Sequence, residues 1–176
     1  MHLTANFYFP PRSRSAGFAL IEVLVTVVVV AIGLLGVAGM QATALRYGHS
    51  AYMRSLATLQ ATDIADRMRA NIPAVASGRY QMGLNTAATP MAKSACFSAS
   101  GCVSDDMAAN DLYEWTTEVN ARLPGSTAVV CTDSSPDDGS ASSPACDNVG
   151  STYAVKIWWN DDRTGQQQRF VKSFNL

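Results

Sequence analysis

The sequence is short of histidine and of charge. Two of its 176 residues are histidine, His2 and His49, and they stand far apart. A His-based metal centre or a Ser-His-Asp triad has almost nothing to draw on. Charged residues make up 15% of the chain, and thirteen Lys/Arg against fourteen Asp/Glu leave a net charge of −1. That balance argues against non-specific nucleic-acid binding, which needs a basic surface to neutralise phosphates. The four cysteines form no C-x-x-C pair, so a zinc ribbon has no ligand set. There is no G-x-S-x-G motif, and a serine nucleophile would lack a base and its orienting partner. What is plentiful is apolar. Hydrophobic residues are 48% of the chain, too many for a disordered protein, and the length suits one domain with an appendage.

From Val23 to Met40 the sequence reads VLVTVVVVAIGLLGVAGM, eighteen residues without a charge. Counted from Phe18 the run has twenty-three residues and one charge, Glu22. At about 1.5 Å per residue it crosses a bilayer core of roughly 30 Å. It is longer than the apolar region of an ordinary secretory signal, and the helical pattern continues past it. Ahead of it stand Arg12 and Arg14 with no acid, and Pro10-Pro11, which breaks any helix. Cations beside a first span hold that end in the cytoplasm. The expectation is a single-pass inner-membrane protein whose remainder faces the periplasm. Glu22 is the anomaly, because an ionised carboxylate in hydrocarbon is costly and marks function. The plain alternative is an interfacial glutamate that snorkels to the headgroups. A cut between Gly17 and Phe18 would create an α-amino group one helical turn from Glu22, in its own or a neighbouring chain.

The segment Ser15-Ala16-Gly17-Phe18-Ala19-Leu20-Ile21-Glu22-Val23-Leu24-Val25 resembles the class III signal of type IV prepilins, and Gly17, Phe18 and Glu22 match that motif position by position. The resemblance implies that a prepilin peptidase cuts after Gly17 and methylates Phe18. It also implies that Glu22 pairs with the N-terminal amine of the adjacent subunit during assembly. Gly33-Leu34-Leu35-Gly36, Ser50-Ala51-Tyr52 and Asp63-Ile64-Ala65-Asp66-Arg67-Met68-Arg69-Ala70-Asn71 are similar to the minor pilin family called PilV. That likeness implies a structural, assembly-priming subunit of a type IV pilus, with no enzymatic activity, no cofactor and no metal. Its implied partners are the prepilin peptidase, the lipid bilayer, the major pilin and other minor pilins, and the inner-membrane assembly platform, with no nucleic acid. Its implied place is the inner membrane and then the pilus at the cell surface, in pilus biogenesis, twitching motility and adhesion. A type II secretion pseudopilin, or an adhesin at a pilus tip, would share the architecture.

Gln41 to Asn71 contains no proline, and Pro73 closes the stretch. Leu45, Tyr52, Leu56, Leu59, Ile64 and Met68 recur at mostly helical spacings among Arg46, Arg54, Asp63, Asp66, Arg67 and Arg69. The spacing predicts one helix over 18–71, about 80 Å long. Asp63 and Arg67 form an i,i+4 acid-to-base pair that supports a helix by a few tenths of a kcal/mol. Gly33, Gly36 and Gly39 interrupt the apolar half. They fit close helix approach, a weak point for unwinding, or ordinary tolerance of glycine in membrane helices.

The expected organisation is a cleaved leader over 1–17, a membrane or filament-core helix over 18–40, an amphipathic continuation over 41–71 and a head over 72–176. The head carries seven Lys/Arg and eleven Asp/Glu, a net of −4, and no histidine. Residues 74–106 show no strong period and read as loop. A second helix is expected over 107–123, capped by Asp105 or Asp106 and ended by Pro124-Gly125, with Leu112, Trp115, Val119 and Leu123 in one stripe. Strands are expected over 128–131, 153–160 and 167–174, the last two joined by a turn at 161–165. In the second strand Tyr153, Val155, Ile157 and Trp159 share a face, opposite Lys156 and Trp158. Trp158 is either an exposed contact or packs under the long loop. The fold class is α+β, type IV pilin-like, an antiparallel sheet laid on the long helix.

All four cysteines, Cys96, Cys102, Cys131 and Cys146, lie in the head, which on the periplasmic side implies disulfides. Three connectivities are open. The sequential one, Cys96–Cys102 and Cys131–Cys146, is preferred because both segments are short and poor in regular structure and so benefit most from stapling. Asp133, Asp137, Asp138 and Asp147 cluster at the second loop without the EF-hand spacing, and read as a solvated acidic loop rather than a calcium site.

Overall fold

The computed structural model describes residues 20–82, 89–161 and 165–176. The expected leader and cleavage site, with Gly17 and Phe18, lie outside the described residues. The chain divides into two compact units, Met1–Thr43 and Ala44–Leu176. Helix α1, Leu20–Ala70, belongs to both. In the first unit every described residue is exposed. The apolar stretch there is long and apolar enough to cross a membrane, and none of it is buried within the chain.

In the second unit α1 buries Met53, Leu56, Ala57, Ala61, Ile64, Ala65 and Met68. The expected stripe is therefore half right. Leu56, Ile64 and Met68 face the core, whereas Leu45, Tyr52 and Leu59 are 71%, 57% and 63% exposed. The helix turns its alanines inward instead, and their small side chains let the sheet and the second long helix come close. Asn71 follows, and then the short helix α2, Ile72–Ala76. Pro73 closes α1 but sits in the first turn of α2, where a missing N–H costs nothing.

The region expected to be loop is thus more structured than its weak period implies. It holds α2 and a 3₁₀ turn at Ser94–Phe97. Helix α3, Ser104–Arg122, starts three residues earlier than the expected 107. Neither Asp105 nor Asp106 caps it, since Val103 occupies the cap position. Both aspartates lie in the first turn, where they favour the positive end of the helix dipole. Leu112, Trp115, Val119 and Leu123 are all fully buried. Gly125 turns the chain with φ +59°, and a Cβ there would lie 2.6 Å from the Asn160 amide nitrogen.

Strands β1 (Thr127–Thr132), β2 (Tyr153–Asp161) and β3 (Gln166–Phe174) form one antiparallel sheet in the order β1-β2-β3. Val130 lies opposite Val155, and Ile157 opposite Phe170. The Tyr153, Val155, Ile157 and Trp159 face packs on α1 and α3 and completes the core. The other face of β2 is not solvated as its polar alternation suggests. Lys156 is fully buried, and Trp158, at 2% exposure, is no surface contact.

Candidate functional site

Two regions carry the chemistry singled out in the sequence: the start of α1, and the packed head. Glu22 stands in the first turn of α1 and is exposed. Around it Leu20, Ile21 and Leu24 are 90%, 71% and 62% exposed. A carboxylate is thus set into a long apolar helical surface that nothing in the first unit covers. Phe18 and the amine that a cut would create lie outside the described residues. Gly33, Gly36 and Gly39 have open space where a Cβ would stand, so no packing within the chain requires them. What this surface can do is bury itself against lipid or other helices, and supply one negative charge there.

The second region shows what Asp63–Asn71 does in the fold. Arg67 Nε donates to Asp63 Oδ2 at 3.0 Å, the pair visible in the sequence. Its Nη1 reaches α3 and donates to Glu114 Oε2 at 2.8 Å and to Asp111 Oδ1 at 3.2 Å. Burial pulls down the Arg67 pKa, but the Glu114 hydrogen bond and the surrounding carboxylates raise it on balance. Glu114 is held below its usual value, chiefly by that hydrogen bond. Tyr80 Oη donates to the other oxygen of Asp111 at 2.5 Å and accepts from Asn71 Nδ2 at 3.2 Å. Burial, and then the bond to Asp111, push the Tyr80 phenol well above its usual pKa. Asn71 Nδ2 also donates to the Ser104 carbonyl, and Ser104 Oγ donates to Asn71 Oδ1. One polar network therefore ties α1, the residues Asn71 and Tyr80 on either side of α2, and α3 together. Spacing alone reveals only its Asp63–Arg67 member.

Two disulfides close the head loops. Cys96–Cys102 spans a Cα–Cα distance of 4.6 Å and Cys131–Cys146 spans 6.0 Å. The second closes the loop that covers Lys156. Lys156 Nζ lies 2.6 Å from Asp133 Oδ2 and 2.8 Å from Asp138 Oδ1, and donates to the carbonyl of Pro144 at 2.8 Å and that of Asp138 at 3.3 Å. The acidic loop is thus not simply solvated. Asp133 is fully buried, and Asp138 is held below its usual pKa by the Lys156 ammonium. Arg169 binds the same loop from β3, through Asp137 Oδ1 at 2.7 Å and the carbonyls of Asp137 and Gly139. Asp147 accepts from Ser134 and from the Val149 amide, which lowers its pKa. The oxygens that could surround a divalent cation surround an ammonium instead. Cys131, Asp133 and Cys146 also lie within metal-binding distance of one another. Their sulfurs are bonded to each other and offer no thiolate, and Lys156 holds the carboxylate.

Comparison with known proteins adds the family context. Residues 12–38 match the prokaryotic N-terminal methylation motif. Residues 39–113 match the family described as Tt1218-like, type IV pilin Tt1218. No curated protein and no solved structure matches the chain. The two family matches adjoin, covering the apolar helix, its amphipathic continuation and the first half of α3. The fold is type IV pilin-like, and the matches from residue 12 to residue 113 support a type IV pilin that carries the N-terminal methylation motif.

Proposed function

We propose that this chain is a minor pilin of the PilV kind, a structural and assembly-priming subunit of a type IV pilus. In this reading the prepilin peptidase removes residues 1–17 after Gly17 and methylates Phe18. Glu22 then pairs with the N-terminal amine of an adjacent subunit as the filament grows. The observation that carries the reading is the exposed Glu22 carboxylate on an uncovered apolar helix, inside the methylation-motif match. An intramembrane carboxylate is stabilised by an opposite charge close by, and a neighbouring processed chain brings one. The bilayer holds the subunit first, with the head in the periplasm. The major pilin, other minor pilins and the assembly platform then receive it, and it ends in the pilus at the cell surface. Twitching motility and adhesion are the filament's functions to which it contributes. The head, with paired ions, no histidine and two disulfides, serves recognition and packing rather than catalysis.

The test is the intact mass and N-terminal sequence of the protein in sheared surface filaments and in membranes. Protein beginning at N-methylated Phe18 in filaments is the expected result. Protein beginning at Met1 and confined to membranes, in cells with active prepilin peptidase, would refute the reading.

A further inference from the structure

The ion pairs of the second unit are almost complete, and the exceptions lie together. Among the described residues, seven cations each hold a carboxylate. Lys172 donates to Thr62 Oγ1. Arg46 and Arg54 are exposed and their side chains take no partner among the described residues. The carboxylates are equally engaged: those outside the ion pairs are Asp147, held by Ser134 and Val149, and Asp161, held by Ser50. In its second unit a further copy of this chain therefore offers the two arginines no unengaged side-chain carboxylate among the described residues, and the exposed Glu22 carboxylate lies within the apolar run instead. Beside them, Tyr47 and Tyr52 are 72% and 57% exposed. Arg46 follows the end of the apolar run at Met40 by six residues, about 9 Å of helix. Arg54 lies about 12 Å further on, rotated about 80° around the helix. Exposed tyrosine and arginine just beyond a span are the side chains that settle at a membrane surface.

We infer that Arg46, seconded by Arg54 and flanked by Tyr47 and Tyr52, binds acidic phospholipid headgroups on the periplasmic face of the membrane. The inference deepens the bilayer step of the proposed function and rests on that reading. Arg12 and Arg14 leave with the leader, so processing would strip the cytoplasmic end of its arginine anchors. The arginines left to hold the subunit at the bilayer surface then lie on the periplasmic side. The head, net −4 over 72–176, adds no attraction of its own to the same lipid. The attraction is modest, about five-fold in association per cation near such a surface, and fades within about 10 Å. Arg46 therefore contributes more than Arg54, and the contact is weak enough to release on extraction.

The test uses the full chain in vesicles of phosphatidylcholine, with and without phosphatidylglycerol. A polarity-sensitive dye is attached at Gly48→Cys, a position with open space around its Cβ. The expected result is blue-shifted emission in the acidic vesicles, reversed by salt, mostly lost in Arg46→Gln and less so in Arg54→Gln. Equal emission in both vesicles, or a shift that survives the double variant, would overturn the inference. So would a vesicle signal untouched by Arg46→Gln alongside weakened co-isolation with filaments, which assigns the arginines to a protein partner. Near-UV circular dichroism checks that the variants fold. The intact mass of each sample reads processing separately, so failure of the leader cut is distinguishable from failure of headgroup binding.

Discussion

Lys156 concentrates the residue-scale physics of the head. A buried ammonium is tolerable only when acceptors surround it, and the Asp133 and Asp138 carboxylates with two carbonyls do so. Lys156→Ala should destabilise the head by about 3–5 kcal/mol, because it leaves Asp133 buried without its counter-charge. Lys156→Met with Asp133→Ala should recover much of that loss, since an apolar pair removes both charges together. Denaturant midpoints of the three proteins check this. The midpoint of the unsubstituted protein should not move with calcium or chelator, because the ammonium fills the position a cation would take. Arg67 is the second such residue. Arg67→Ala removes hydrogen bonds to three carboxylates across α1 and α3, and should cost about 1.5–3 kcal/mol in the same measurement.

At the scale of elements, α1 and α3 pack through small residues on one side and large ones on the other. Ala57, Ala61 and Ala65 are fully buried on α1, while α3 brings Leu112, Trp115 and Val119. Trp115 Nε1 donates to the Gln60 carbonyl at 2.9 Å, so its ring is fixed by a bond as well as by packing. Ala61→Leu should therefore overpack the helix interface and cost about 1–3 kcal/mol, read as a lowered thermal midpoint. The disulfides act on longer stretches of chain. Removing Cys131–Cys146 should cost about 3 kcal/mol and removing Cys96–Cys102 about 2, as the closed loops differ in length. The first removal should also uncover Lys156 and Trp158, seen as a red shift in tryptophan emission.

At the scale of the whole molecule, the linked groups predict a pH window. Glu114, Asp138 and Asp147 have pKa values lowered in the folded state. Their contribution is present above the unfolded carboxylate values and is lost as pH falls through the folded ones. The head should lose stability progressively below about pH 4.5, the unperturbed value for Glu114. Tyr80 and Tyr153 have raised pKa values, so their contribution holds below the unfolded value of 10.0 and is lost as pH rises beyond it. Thermal midpoints measured from pH 3 to pH 11 should form a plateau between these limits. Much of the arrangement was legible beforehand because it rests on local pattern. The apolar run, the α3 stripe, the β2–β3 hairpin and the even cysteine count each state their structure over a few residues. The covered face of β2 was not legible, because Lys156 and Trp158 alternate like solvent-facing residues and their cover lies elsewhere in the chain.

The sequence by itself determined the long apolar helix, the α3 stripe and the strands of the sheet. A long uninterrupted apolar run is helical wherever water is absent, because each backbone group then finds its partner within the segment. It also argued against a His-based triad or metal centre, since its two histidines stand far apart. Only the tertiary structure decided which residues of α1 face the core, because helical periodicity marks a stripe but not the depth at which a neighbour meets it. Met53 and the alanines are buried in one cluster with α3 and the sheet, while Tyr52 and Leu59 are left outside. Likewise, only the fold brought Asp133, Asp138 and Pro144 around Lys156 and carried Arg67 across to α3. Those contacts join segments that no short-range pattern connects, and burial sets the strength of each charge within them.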